Sequence, residues 1–161
     1  MTKRPLVVRI RRADDAEVVR CLGAYYAELD QRFDTGFDAE LTPQAEIDDT
    51  TPPVGVFYTL QWADDGDDAP ALGIGALRPE QPGVAEIKRM WVAPEARGLG
   101  GGRLLLDELE AAARRFGYTE VWLDSNSSLT EAIAMYRSAG FVDVPRYNTH
   151  PFAQVWLGKK L

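Results

Sequence analysis

The chain predicts a mixed α/β (α+β) fold: one mostly antiparallel sheet flanked by helices, with a β-α-β unit at its centre. Two observations predict it. Strand-like and helix-like periodicities follow one another in the order β-α-β-β-β-α-β-α-β-β. Three strands joined by short turns precede the one clear β-α-β unit, which excludes a doubly wound sheet. At 161 residues, with no internal repeat, low-complexity segment or composition break, the chain reads as a single domain over residues 1–161.

Each element has its own signal. Residues 5–12, "PLVVRIRR", alternate as a strand does. Asp14 or Asp15 can cap the helix that follows, with Val18, Leu22, Tyr25, Tyr26, Leu29 and Phe33 at helical spacing. A loop, "FDTGFDAELTP", and a proline-containing stretch, "TTPPVG", come next. Residues 54–63 and 70–79 read as two strands joined by the turn "DDGDD", and residues 84–93 as a third. The glycine run at 98–102 opens a helix that continues to Phe116, with Leu105, Leu109, Ala112, Ala113 and Phe116 on one face. Residues 120–124 form a short strand. A capping box of Ser128 and Glu131 starts the last helix and Gly140 stops it, before two closing strands in "FVDV" and "AQVWLGKK".

Composition narrows the function. The chain is 45% hydrophobic and 27% charged, with a net charge of −7, which disfavours nucleic acid and anionic membranes as partners and tolerates a cationic small substrate. The single cysteine, Cys21, allows no internal disulfide and lies on a helix face among Val18, Leu22 and Tyr25, a packing position. The charged start has no apolar signal core, and no apolar run approaches membrane-spanning length, so a cytoplasmic location is expected. No metal site is expected: the aspartates of "DDGDD" lack the spacing and glutamate of a calcium loop.

The stretch "ARGLGGGRLL" sets four glycines in five positions against a run of leucines. Three phosphate-loop patterns compete for it. A Walker loop needs Lys-Ser/Thr after its last glycine, where this chain has Arg103-Leu104. The dinucleotide fingerprint fits Gly98 and Gly100, but Arg103 stands where the third glycine belongs. The pattern R-x-x-G-x-G is met by Arg97, Gly100 and Gly102. Its physics is that bare amides at a helix start, with the dipole and an arginine, cradle a pyrophosphate.

Two stretches in order, "EIKRMWVAPEARGLGGGRLL" and "LDSNSSLTEAIAMYRSAGF", resemble the GNAT superfamily of acyl-CoA-dependent N-acyltransferases over about residues 85–141. The resemblance implies an N-acetyltransferase that moves the acetyl group of acetyl-CoA directly to an amine, with acetyl-CoA as co-substrate and no metal. It implies that Arg97, Gly98, Leu99, Gly100, Gly101, Gly102 and Arg103 hold the pyrophosphate. Met90, Trp91 and Val92 would bind the pantetheine arm and acetyl carbonyl through their backbone. It also implies that Tyr136, set in a pattern with Ala132, Gly140 and Phe141, is the acid that protonates the leaving thiolate. One departure stands out: many relatives carry asparagine seven residues before this tyrosine, where this chain has Leu129. Asn126 either supplies that contact to pantetheine or is a turn residue.

Glu86 is the candidate general base, or else one half of a buried ion pair, since Glu86, Lys88 and Arg89 crowd three charges onto a strand expected mid-sheet. The acidic chain points to a primary amine that arrives as the ammonium ion. An acceptor carrying a carboxylate would instead need an arginine, Arg89 or Arg146. His150, the only histidine, lies in the loop "RYNTHPF" between the closing strands, a surface position that can border the acceptor pocket. Other readings are an acyl-CoA-binding sensor or partner subunit of the same fold, and a nucleotide-binding module using the same glycines. A homodimer is compatible with all of them.

Overall fold

Seven strands form one sheet in the order β1-β2-β3-β4-β5-β7-β6. The computed structural model describes residues 4–32 and 44–161. The elements are β1 (Leu6–Arg11), α1 (Ala16–Arg32), α2 (Gln44–Asp49), β2 (Val56–Trp62), β3 (Gly73–Gln81) and β4 (Val84–Val92), then a one-turn 3-10 helix (Pro94–Ala96). There follow α3 (Gly101–Arg115), β5 (Glu120–Ser125), α4 (Thr130–Ser138), β6 (Val142–Asp143) and β7 (Val155–Lys160). The β4–β5 pair is parallel and every other neighbour pair is antiparallel. Phe33 and the loop read at 33–43 lie outside the described residues.

Period-two alternation divides the core between the two faces of the sheet. Val56, Tyr58, Leu60 and Leu77 pack with Leu105, Leu106, Leu109, Ala112 and Ala113 of α3 and with Tyr136 and Phe141. Their neighbours Phe57, Ile74 and Ala76 face the other way, against Val18, Cys21 and Leu22 of α1 and Ile47 of α2. Asp15 caps α1, its carboxylate accepting from the Glu17 amide at 2.9 Å.

The structure departs from the sequence reading at one helix start and in one connecting stretch. The stretch ahead of "TTPPVG" contains α2, a six-residue helix. Six residues are too few for propensity to signal. The helix is held by burial of Ile47 and by Thr50 and Thr51, whose hydroxyls donate to the carbonyls of Glu46 (2.7 Å) and Ile47 (2.6 Å). The Ser128/Glu131 capping box does not form. The cap residue of α4 is Leu129, with no side-chain cap bond. Glu131 instead pairs with Arg32 of α1 at 3.2 Å, and the Ser128 amide donates to the Asn126 side chain at 3.0 Å. A tertiary ion pair has taken the carboxylate that a local box would use.

One buried contact ties β7 to α3 and to the end of α4. The Lys159 ammonium of β7 donates to both carboxylate oxygens of Glu110 on α3 at 3.1 Å and to the Ala139 carbonyl after α4 at 2.7 Å. Glu110 is almost fully buried, so Lys159→Met leaves a carboxylate unpaired in the interior. Such a loss costs about 3–5 kcal/mol. In chemical denaturation Lys159→Met is expected to fall by that amount, and the double variant Glu110→Leu/Lys159→Met to recover most of it. Equal stability of the single variant and wild type would remove the pair from the list of stabilising contacts.

Candidate active site

The site is made where two strands part. β4 and β5 pair over Val84–Glu86 and Glu120–Trp122 only, so from Ile87 onward the edge of β4 that faced β5 has no strand beside it. On its other side β4 stays paired with β3, but with a bulge: Ile74 faces Trp91 while Ala76 faces Lys88, which leaves one extra residue in β4. Arg89 sits in the bulge at φ +60°, a left-handed conformation uncommon for a side-chain-bearing residue. α1 and α4 wall the opening on either side.

Two cavities occupy the wedge. The larger, about 510 Å³, is lined by Trp91 and Val92 of β4, by Arg97, Gly98 and Gly100 to Arg103, and by Glu28 and Arg32 of α1. The smaller, about 100 Å³, is lined by Lys88 and Arg89 of β4, Asp124 and Ser125 of β5, Asn126, and His150 and Phe152 of the β6–β7 loop. A single ordered water needs at least about 10–15 Å³, so both admit a ligand. Tyr25, Leu29, Met90, Leu129, Ala132 and Tyr136 line both cavities. The two spaces therefore meet at Tyr136 and Met90.

The glycine run does three different things. Gly98 and Gly100 hold φ of +79° and +85°, which turn the chain into α3. Gly101 has a packing reason: a Cβ there would come within 2.4 Å of the Leu60 side chain in the core. Gly102 faces the large cavity, where a Cβ would stand 3.3 Å from the Met135 sulfur. α3 begins with no side-chain cap and no acidic residue in its first turn, so its first amides and the positive end of its dipole are open toward the cavity. The Trp91 indole nitrogen, which is buried, has no partner among the described residues. These donors suit a pyrophosphate and an amide-bearing arm.

Arg97 is already engaged. Its Nε donates to the Val92 carbonyl at 3.0 Å, and its terminal nitrogen is bonded to Glu28 of α1. Glu28 also lies 3.7 Å from Arg32, which reaches Glu131 at 3.2 Å. An anion entering this cavity must share Arg97 with Glu28.

Tyr136 is buried, 6% exposed, with its ring against Phe141 at 5.9 Å. Burial above all, and then Tyr25 and the charge of Asp124, push its hydroxyl well above the ordinary tyrosine range. It stays protonated and able to donate.

Glu86 does not line either cavity. It is 2% exposed and accepts from Arg78 at 3.1 Å and from the Tyr147 hydroxyl at 2.7 Å, with Lys88 at 3.8 Å. Burial, and then the charge and hydrogen bond of Glu86, hold the Tyr147 hydroxyl far above its usual range. The three charges of β4 are thus accounted for: Glu86 with Arg78 and Lys88, and Arg89 with Glu46 at 2.9 Å.

Among the other residues singled out in the sequence, Met90, Trp91, Val92, Arg97, Gly98, Gly100, Gly101, Gly102 and Arg103 come together around the large cavity, while Leu99 lies outside its lining. Asn126 lines the small cavity, but its amide is spent locally, donating to the Phe152 carbonyl at 2.9 Å and accepting from Ser128. Cys21 is buried, and burial raises its thiol to about 11. His150 borders the small cavity, with its Nδ1 buried and unpartnered among the described residues. Tyr25 and Glu28 fall in the stretch "YYAELDQRFDTGFD", expected from the sequence to shape the acceptor pocket, while sequence reading missed Asp124. Tyr25 carried a helical-face signal read as packing, and Asp124 is the polar end of a short strand.

Comparison with known proteins gives a consistent result. A family model described as the acetyltransferase (GNAT) family matches residues 22–141. An uncharacterised N-acetyltransferase of Schizosaccharomyces pombe is 38% identical over 86 residues, 53% of this chain and 53% of that protein. The chain thus spans about half the length of that curated relative. A GCN5-related N-acetyltransferase from Kribbella flavida is 26% identical with a TM-score of 0.69, covering 96% of this chain and 98% of that one. An acetyltransferase from Streptococcus agalactiae, at 17% identity, shares the fold with a TM-score of 0.74, covering 97% and 98%.

Gly102 offers a direct test of the large cavity. At 100 times Kd a ligand stabilises a fold by about 2.7 kcal/mol. Gly102→Val is expected to abolish the thermal shift given by acetyl-CoA, because the side chain fills the space beside the first-turn amides. An unaltered shift would show that the cofactor does not approach α3.

Proposed function

The chain belongs to the acetyltransferase (GNAT) family, and from that membership we propose that it transfers the acetyl group of acetyl-CoA directly to the nitrogen of an amine. The observation that carries the reading is the meeting of two cavities at one buried tyrosine. A donor in one cavity and an acceptor in the other come together where a proton donor waits, with no covalent enzyme intermediate required. Holding two reactants in this way replaces a bimolecular encounter by a step within one complex.

The fit of the large cavity to acetyl-CoA rests on its open donors: the first amides of α3 and the free edge of β4. Arg97 and Arg103 would complement the pyrophosphate, with Glu28 displaced or shared. Acetyl-CoA, when bound, supplies an activated thioester carbonyl. The backbone of Met90 to Val92 would hold that carbonyl and the pantetheine arm, as the donors of an unpaired strand edge can.

Amide formation makes a C–N bond, breaks the C–S bond and releases one proton overall when the amine arrives protonated. The ammonium loses one proton before attack and the nitrogen loses a second as the tetrahedral centre collapses. One of the two returns to the departing sulfur. Tyr136 is the donor we assign to that step, since burial holds its hydroxyl protonated and the residue lines both cavities. For the first proton we assign water in the small cavity, which Asp124 lines. Glu86 has a different part. Enclosed by Arg78 and Tyr147, it braces the root of the wedge and does not exchange protons with the substrate. A cytosolic location belongs to the same proposal, because its lone cysteine is a buried packing residue.

The experiment is CoA release from acetyl-CoA against a broad panel of amines. Turnover supports transfer, whereas acetyl-CoA binding without turnover of any amine would favour a binding role. Tyr136→Phe keeps the ring and removes the proton, so kcat should fall by about 10²–10⁴-fold with acetyl-CoA affinity nearly unchanged. An unchanged kcat would assign the thiolate's proton to another donor.

A further inference from the structure

The small cavity is lined with opposite charges on opposite walls. Lys88 and Arg89 come from β4, and Asp124 comes from β5. Both walls are built. Arg89 stands at the bulge in its left-handed conformation, with its guanidinium 5.5 Å from the centre of the Tyr26 ring and its Nε donating to Glu46 at 2.9 Å. That is its one hydrogen bond among the described residues. A guanidinium has five N–H donors in a fork that matches a carboxylate, so its terminal nitrogens stay available. Arg146, the other arginine considered from the sequence, points elsewhere: its Nε donates to the Asn148 carbonyl and its guanidinium covers Trp156.

Asp124 is aimed as firmly. Its Oδ2 accepts from the Asn148 amide at 2.6 Å. The Asn148 oxygen in turn accepts from the Trp156 indole at 3.0 Å and the His150 amide at 3.4 Å, which fixes the side-chain amide with its nitrogen toward Asp124. Tyr25 lines the same cavity, and its hydroxyl feels both walls. Burial raises it to about 12, Arg89 pulls it down, and Asp124 pushes it up. Asp124 also acts on Tyr136, and both line this cavity.

We infer that the acceptor is a small amine bearing its own carboxylate, an amino acid in the broad chemical sense, with the carboxylate on Arg89 and the amino group held at Asp124 beside Tyr136. This rests on the transferase reading above and narrows its substrate. A polyamine would leave a second cation facing Arg89 and Lys88 in a partly buried space. A plain carboxylate would face Asp124 without a counter-charge. A ligand with both groups satisfies both walls, since buried charges are tolerated only when paired. The net charge of −7 suggested a purely cationic acceptor, but the charges that face the cavity govern selection there.

The test uses CoA release with three matched acceptors: a set of free amino acids, their carboxamides, and the corresponding amines without the carboxyl group. Free amino acids are expected to exceed the other two in kcat/KM by about 10–100-fold, the range of a hydrogen-bonded charge. Arg89→Gln should raise KM for free amino acids by that factor, leave kcat and acetyl-CoA affinity nearly constant, and erase the preference over carboxamides. Arg89→Lys should restore part of it. Because Arg89→Gln strands Glu46, the double variant Arg89→Gln/Glu46→Gln is measured beside it and should show the same loss of preference at a melting temperature closer to wild type. Equal use of amino acids and carboxamides by the wild-type enzyme overturns the inference while leaving the transferase reading intact. So does a uniform loss on all three classes in the double variant. CoA release from none of the amines overturns both.

Discussion

The proposed site depends on the loss of pairing between β4 and β5 after Glu86 and Trp122. A sheet interrupted in its middle exposes backbone donors and acceptors that would otherwise be satisfied, and leaving such groups buried and unpaired costs about 1–3 kcal/mol each. The fold tolerates the interruption because both strands are secured on their outer sides. β5 pairs with β7 along its whole length, and β4 keeps β3 as a partner through the bulge. The exposed edge is thus held rigidly enough to serve as a binding surface.

The buried charges belong to the same device. Glu86 is opposite Trp122 in the last paired register of the wedge and opposite Arg78 on β3. Arg78 also reaches Glu80 at 3.1 Å and Asp49 at 3.4 Å, while Tyr147, packed on Trp122 at 4.8 Å, donates to Glu86 from the β6–β7 loop. The cluster ties β3, β4, α2 and that loop together where the strands begin to diverge. Three residues further along β4, Arg89 uses the bulge to turn into the wedge and ties in α2 a second time through Glu46. What looked in the sequence like three misplaced charges is one brace and one arginine that lines the small cavity.

The strands, the glycine-led helix and the crossover were legible because each rests on local physics: period-two alternation, helical spacing, and glycine at positions of positive φ. Gly98 and Gly100 carry that signal, while the packing reason for Gly101 is visible only once Leu60 is seen beneath it. The glycine loop could be read as an anion cradle from its residues alone. α2 could not be read, since six residues held by Ile47 and two threonine hydroxyls leave no periodicity. The grouping of the small cavity was not legible. Arg89 stood out in the sequence as one of two candidate arginines and Asp124 did not stand out at all, and Asp124, Arg89 and Tyr25 come from three elements that only the topology brings to one cavity. Glu86 shows the converse: a carboxylate in a suggestive place on a strand is committed to an ion pair that only the neighbouring strand reveals.

The central claim is that the free edge of β4 and the start of α3 form one surface that a single ligand covers. Amide hydrogen exchange measured with and without acetyl-CoA reads that surface directly. The account predicts slowed exchange at Met90 to Val92 and at Gly101 to Arg103 together, with the paired stretch of β4 before Glu86 unchanged. Binding that leaves both segments as they were, and protects some other part of the chain, would contradict it.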